Sequence, residues 1–120
     1  MAKRILVVEQ HDGDRELLKL IFSTHGFDVD TTTNAGEAIE MMKSRRPDLL
    51  VVDTDLPDTN GWDFCEQVKH QTMEAGIPLV MLSARLPQQS RIDGSCADDF
   101  LVKPFNDEKL LTKIRHLLAA

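Results

Sequence analysis

Pro47-Asp48-Leu49-Leu50-Val51-Val52-Asp53-Thr54-Asp55-Leu56-Pro57 is the stretch that decides the fold. Leu49 to Val52 is wholly apolar and stops abruptly at a carboxylate. No polar residue alternates within it, so both faces of an extended segment would be buried, as in a central strand of a parallel sheet. Asp53 then stands where the strand ends and the chain turns. In open α/β sheets the crevice beyond the carboxyl ends of the strands is where ligands bind. A single aspartate at such a place is more often a turn cap than a reacting group, so its meaning depends on the other strand ends.

Working outward, Ile5-Leu6-Val7-Val8 is a second apolar run and also ends in an acid, Glu9. Asp12 is expected to cap the following helix, with Leu17, Leu18, Ile21 and Phe22 on its inner face. Gly26 should end that helix with a positive φ. Phe27 to Thr33 alternates and is rich in β-branched residues, which predicts an edge strand. Asn34 should cap a helix facing inward through Ala35, Ala38, Ile39 and Met42. Asn60-Gly61 marks a turn before a helix that buries Phe64, Cys65 and Val68. Leu79 to Leu82 is a fourth run, ending at Ser83, and Phe100 to Val102 a fifth, ending at Lys103-Pro104. Asn106 should cap a last helix with a stripe of Leu110, Leu111, Ile114, Leu117 and Leu118, and Asp107 and Glu108 in its first turn suit the helix dipole. Between Arg85 and Cys96 only Leu86 and Ile92 are large and apolar, and Pro87 and Gly94 interrupt, so a short or irregular helix is expected there. Five alternations of strand and helix predict one parallel sheet covered on both faces, with right-handed crossovers.

At 120 residues the chain is expected to be one domain, residues 1–120. A net charge of -6 gives no footprint for nucleic acid, and no apolar segment approaches the length needed to span a bilayer. Nor does the start read as a signal peptide. Cys65 and Cys96 do not make a disulfide framework and read as small core fillers in a reducing, cytoplasmic setting.

The residues just past the runs are Glu9 and Gln10, Asp53, Ser83 and Lys103. Parallel neighbouring strands would bring them to one crevice. One chemistry fits such a set. A carboxylate accepts a phosphoryl group, a divalent cation neutralises the neighbouring acids, and an ammonium and a hydroxyl hold the remaining oxygens. The cation has an energetic reason: two carboxylates about 6 Å apart repel by roughly 3 kcal/mol at an effective dielectric of 20. His11 stands beside these residues, either as a ligand or, more commonly for such a histidine, as a surface group.

Five pieces in this order resemble the receiver domain of two-component response regulators: Ile5 to Glu9, Pro47 to Asp53, Leu56-Pro57 through Asn60-Gly61, Val80 to Ala84, and Ala97 to Phe105. The resemblance implies a flavodoxin-like (βα)5 doubly wound α/β fold with a five-stranded sheet in the order 2-1-3-4-5. It implies Asp53 as phosphoacceptor, Lys103 as the phosphate-binding lysine, and Ser83 and Phe100 as the switch pair. It implies Glu9, Asp53 and the backbone carbonyl of Asp55 around Mg²⁺, and a cis peptide bond before Pro104. The partner would be a histidine kinase or phosphotransfer protein, with an unidentified protein downstream. The only chemistry would be self-phosphorylation and slow self-dephosphorylation.

The sequence departs from that pattern at Gln10, where the family usually has a second, metal-binding aspartate. An amide oxygen can ligate but brings no charge, so weaker Mg²⁺ binding is expected, with the Asp55 carboxylate compensating in part. The stretch after Ser83 is about two residues short of the pattern, Cys96 replaces a common glycine, and Phe100 lacks the hydroxyl of a common tyrosine. Two other functions compete. Gln10 keeps open a receiver that docks partners without being phosphorylated. Asp53-Thr54-Asp55 after an apolar strand resembles the motif of haloacid-dehalogenase-type phosphatases, although it lies here on the third strand rather than the first.

Overall fold

Leu49, Leu50, Val51 and Val52 are all fully buried, as their lack of alternation requires. They belong to β3 (Leu49–Asp53). In the computed structural model, which describes residues 2–71, 76–85 and 96–119, the preceding elements are β1 (Arg4–Val8), α1 (Asp12–Thr24), β2 (Asp28–Thr32) and α2 (Ala35–Ser44). After β3 come α3 (Gly61–Gln71), β4 (Leu79–Ser83), β5 (Asp99–Val102) and α4 (Asp107–Ala119). The helix expected between Arg85 and Cys96 lies almost wholly outside the described residues.

The five strands form one sheet in the order β2-β1-β3-β4-β5, and every pairing is parallel. This is the doubly wound order that the family resemblance implied. Alternate residues feed two cores. Ile5, Val7, Leu49, Val51, Val80 and Leu82 pack with Leu18 and Phe22 of α1 and Leu110 and Ile114 of α4. Leu6, Val8, Leu50, Val52 and Met81 pack on the other side with Ala38 of α2 and Phe64 of α3. Each large aliphatic side chain so buried contributes about 1.5–3 kcal/mol, so the central strands are held from both faces. The edge strand β2 is only partly buried along most of its length. No helix among the described residues is long and apolar enough to cross a membrane.

Most caps fall where the sequence puts them. The Asn34 side chain accepts from the Glu37 N–H at 2.8 Å, and Asn106 accepts from Glu108 at 2.8 Å. Gly26 ends α1 with φ +87°. The Lys103–Pro104 bond is cis. Three expectations are corrected. His11, not Asp12, occupies the cap position of α1, and its side chain makes no capping bond. Asp12 instead pairs with Arg15 at 2.6 Å. Leu17 is 43% exposed, because it points away from the stripe that Leu18, Ile21 and Phe22 share. Cys65 and Cys96, read as separate core fillers, are joined as a disulfide with Cα atoms 6.2 Å apart, because the sheet brings α3 against the segment entering β5.

Candidate functional site

The register sets the site. Val8 lies beside Val52 and Thr32, Asp53 beside Leu82, and Ser83 beside Val102. The strands therefore end level, and Glu9, Asp53, Ser83 and Lys103 follow at one rim. Thr54 N–H donates to Leu82 O at 2.8 Å and Lys103 N–H to Ser83 O at 2.7 Å, which carries the ladder into the rim.

Lys103 ties the rim together. Its Nζ lies 3.1 and 3.0 Å from the two Glu9 carboxylate oxygens, 3.0 Å from Asp14 Oδ2 and 3.4 Å from Asp53 Oδ2. Glu9 and Asp53 are buried, at 0% and 2% exposure. Burial opposes the charge on Lys103, but hydrogen bonds to Glu9 and Asp14 and the charges of Glu9 and Asp53 outweigh it, so its pKa is raised. The Glu9 carboxyl is also raised, first by burial and then by its contact with Asp53, against the opposing pull of Lys103 and His11. One Asp53 oxygen, Oδ1, accepts from Asp55 N–H at 3.1 Å. The other faces Lys103 and the pocket.

His11 completes the group. Its Nδ1 is 2.8 Å from Glu9 Oε1 and 3.3 Å from Asp53 Oδ2. The hydrogen bond to Glu9 raises its pKa, with burial working slightly the other way. Ligand atoms of Glu9, His11 and Asp53 all lie within 4.8 Å of one another. A cation could be held by these three. An isolated antiparallel bridge between Asp55 and Asn60 fixes the Asp55 backbone in the turn. Gln10 turns its amide to Asp55, donating from Nε2 to the carbonyl oxygen at 2.8 Å. That carbonyl is the one the resemblance assigns to a metal.

The Ser83 hydroxyl is engaged with the Arg85 backbone, donating to Arg85 O at 2.5 Å and accepting from Arg85 N–H at 3.2 Å. Phe100 is partly buried against the core that holds Met81 and Phe64. A surface hollow of about 650 Å³ opens elsewhere, between β5 and α4, lined by Phe100, Val102, Glu108 and Lys113 among others. None of Glu9, Asp53 or Lys103 lines it. Sequence reading missed Asp14, which reaches Lys103 from the first turn of α1, and Arg15, whose guanidinium donates to Glu9 O at 3.1 Å. Their signal was their place in the turn after β1, one helical turn from the rim.

Gly61 explains how the rim packs so closely. A Cβ there would stand 2.5 Å from Asp53 O, 2.7 Å from Met81 Sδ and 2.9 Å from Thr54 Cα. The start of α3 lies directly against the end of β3, and Gly61 N–H donates to Thr54 O at 2.8 Å.

Comparison with known proteins agrees with this geometry. The family described as response regulator receiver domain matches residues 5–115. The phosphate regulon transcriptional regulatory protein PhoB of Rhizobium meliloti is 33% identical over 120 residues, covering 98% of this chain and 53% of that protein. Response regulator MprA of Mycobacterium ulcerans is 38% identical, covering 98% of this chain and 51% of that protein. The chain thus spans about half the length of these curated relatives. A crystal structure of a putative response regulator from Chloroflexus aurantiacus superposes with a TM-score of 0.93 at 28% identity, covering 100% of both chains. The response regulator TrrA of Thermotoga maritima, solved in complex with Mg²⁺-BeF, superposes with a TM-score of 0.86 at 30% identity, covering 96% of this chain and 98% of that one. Strand order, rim and sequence likeness agree, and the chain belongs to the response regulator receiver domain family.

Proposed function

We propose that the chain is a phosphoacceptor switch in which Asp53 takes a phosphoryl group from a histidine kinase or a phosphotransfer protein. The observation that carries this reading is the convergence of the Glu9 and Asp53 carboxylates on the Lys103 ammonium at level strand ends, with Nζ 3.0 Å from Glu9 and 3.4 Å from Asp53. Asp53 Oδ2, the oxygen that faces Lys103, attacks phosphorus in line. An O–P bond forms, and the bond to the donor's leaving atom breaks. Lys103 exchanges its contact with Asp53 for a phosphoryl oxygen. A bound divalent cation, Mg²⁺ on the resemblance, would supply charge neutralisation between the acids and the phosphoryl oxygens. Glu9 and Asp53 would hold it, and the Asp55 carbonyl, which keeps a second lone pair beside the one that accepts from Gln10, could join them. Ser83 would leave Arg85 O for the phosphoryl group, and Phe100 would pack further inward.

On this reading the domain is a signalling device whose own chemistry is limited to self-phosphorylation and slow self-dephosphorylation. Residues 1–120 act as one unit, in the cytoplasm. Family membership leaves the phosphatase reading without support. The test is incubation with Mg²⁺ and acetyl phosphate, followed by intact mass. A stoichiometric, hydroxylamine-labile adduct is expected, lost in Asp53→Asn. Absence of the adduct at saturating Mg²⁺ would favour a docking domain that works without phosphorylation.

A further inference from the structure

We propose that His11 is a ligand of the cation pocket and shifts its preference from Mg²⁺ towards divalent first-row transition metals. This rests on the reading that the pocket takes a divalent cation. Adjacent ligands in an octahedron with bonds near 2.1 Å are about 3.0 Å apart. His11 Nδ1 stands 2.8 Å from Glu9 Oε1 and 3.3 Å from Asp53 Oδ2, close to that spacing, and ligand atoms of all three residues lie within 4.8 Å of one another. Nδ1 carries at most one proton, yet it faces two carboxylates. A cation in place of that proton would satisfy both.

The ring also has room to serve. The His11 side chain is 58% exposed while those of Glu9 and Asp53 are 0% and 3%, so an entering ion meets the imidazole on the solvent side and the acids beneath. Two features of the sequence act together here. Gln10 brings no charge, and its amide nitrogen is committed to Asp55 O at 2.8 Å. Mg²⁺ relies on charged oxygen donors and retained water, so the pocket is a poorer Mg²⁺ site without a second acid at Gln10. An imidazole nitrogen adds little for Mg²⁺ but a good deal for Co²⁺ or Ni²⁺, which stand higher in the affinity order for nitrogen donors.

Calorimetric titration with MgCl₂ and with CoCl₂, at one pH and ionic strength, tests this on wild type, His11→Ala and Asp53→Asn. The visible spectrum of the Co²⁺ form distinguishes nitrogen and oxygen ligation from capture by cysteine sulfur. Wild type should bind one Co²⁺ about tenfold or more tighter than Mg²⁺. His11→Ala should weaken Co²⁺ about tenfold and change Mg²⁺ less than about twofold. Asp53→Asn should weaken both. An unchanged Co²⁺/Mg²⁺ ratio in His11→Ala, stronger Mg²⁺ binding in that variant, or a thiolate spectrum would each overturn the proposal while leaving the cation reading standing. No binding of either ion by wild type would overturn both.

Discussion

Replacing Lys103 with methionine keeps most of the aliphatic stem and removes the charge that holds the rim together. The carboxylates of Glu9 and Asp53 then face each other with ligand atoms within 4.8 Å. At that separation and an effective dielectric of 20, two unit charges repel by about 3.5 kcal/mol. The lysine's own burial cost is recovered, and Glu9 can take up a proton, so the net loss should be about 2–3 kcal/mol at pH 8. For a chain of 120 residues each kcal/mol moves Tm by about 4 °C, which predicts a fall of about 8–12 °C.

The pH dependence has a definite sign. The Glu9 carboxyl is already raised by burial and by Asp53, and losing Lys103 raises it further. A carboxyl raised in the folded state costs stability where it is ionised, and that cost disappears as pH falls through the raised value. The deficit of Lys103→Met should therefore be larger at pH 8 than at pH 5. Glu9→Gln in the same chain should restore at least about 1.5 kcal/mol as a coupling between the two sites. Thermal and urea unfolding in metal-free buffer read both quantities. A deficit below about 1 kcal/mol at pH 8, or one that Glu9→Gln leaves untouched, would refute the idea that Lys103 stabilises the rim by neutralising Glu9 and Asp53.

Other substitutions probe other parts of the frame. Gly61→Ala should cost about 1–3 kcal/mol in urea unfolding, because its Cβ would meet backbone of β3 as well as Met81. Asp58 accepts from Ala35 N–H at 3.0 Å and Gly36 N–H at 2.9 Å, and these bonds lower its pKa below the usual 3.8. Asp58→Ala should lose about 0.5–1 kcal/mol; wild type keeps this advantage above pH 4 and loses it as pH falls through the lowered value, so unfolding curves of the two should converge in strong acid. Thr32 is 3% exposed and its hydroxyl is buried without a hydrogen-bond partner among the described residues. Thr32→Val should raise stability by about 1 kcal/mol, seen as a Tm increase of about 4 °C.

The sequence made the strands and caps legible because their signals are local. Unbroken apolar runs such as Leu79 to Leu82 can be satisfied only between two layers, and all five residues of β4 are buried. Asn34, Asn106 and Gly26 act within a few residues of themselves. Contacts across the chain were not legible. Asp58 caps α2 from more than twenty residues away, a role set by the path of the turn after β3. Asp14 meets Lys103 across 89 residues. His11 was open to two readings because spacing places its Cα at the rim but does not choose its rotamer. The pairing of Cys65 with Cys96 likewise needs the β4–β5 neighbourhood, which composition does not encode.

The same geometry bounds how strongly phosphorylation could bias the domain, on the proposed reading. The floor of the site is closely packed, since Val8, Val52 and Leu82 are fully buried directly beneath it. What can move is the Ser83 hydroxyl, now bonded to Arg85 O, and the partly buried ring of Phe100. A hydrogen bond between neutral groups is worth about 0.5–1.5 kcal/mol, and one to a charged phosphoryl oxygen about 1.5–3. Exchanging one for the other gains about 1–2 kcal/mol, a factor of roughly 5–30 in population. A shift of that size turns a mixed ensemble into a largely switched one but cannot invert a strongly one-sided equilibrium. Any stronger response must come from deeper burial of Phe100 or from a partner that binds only the switched form.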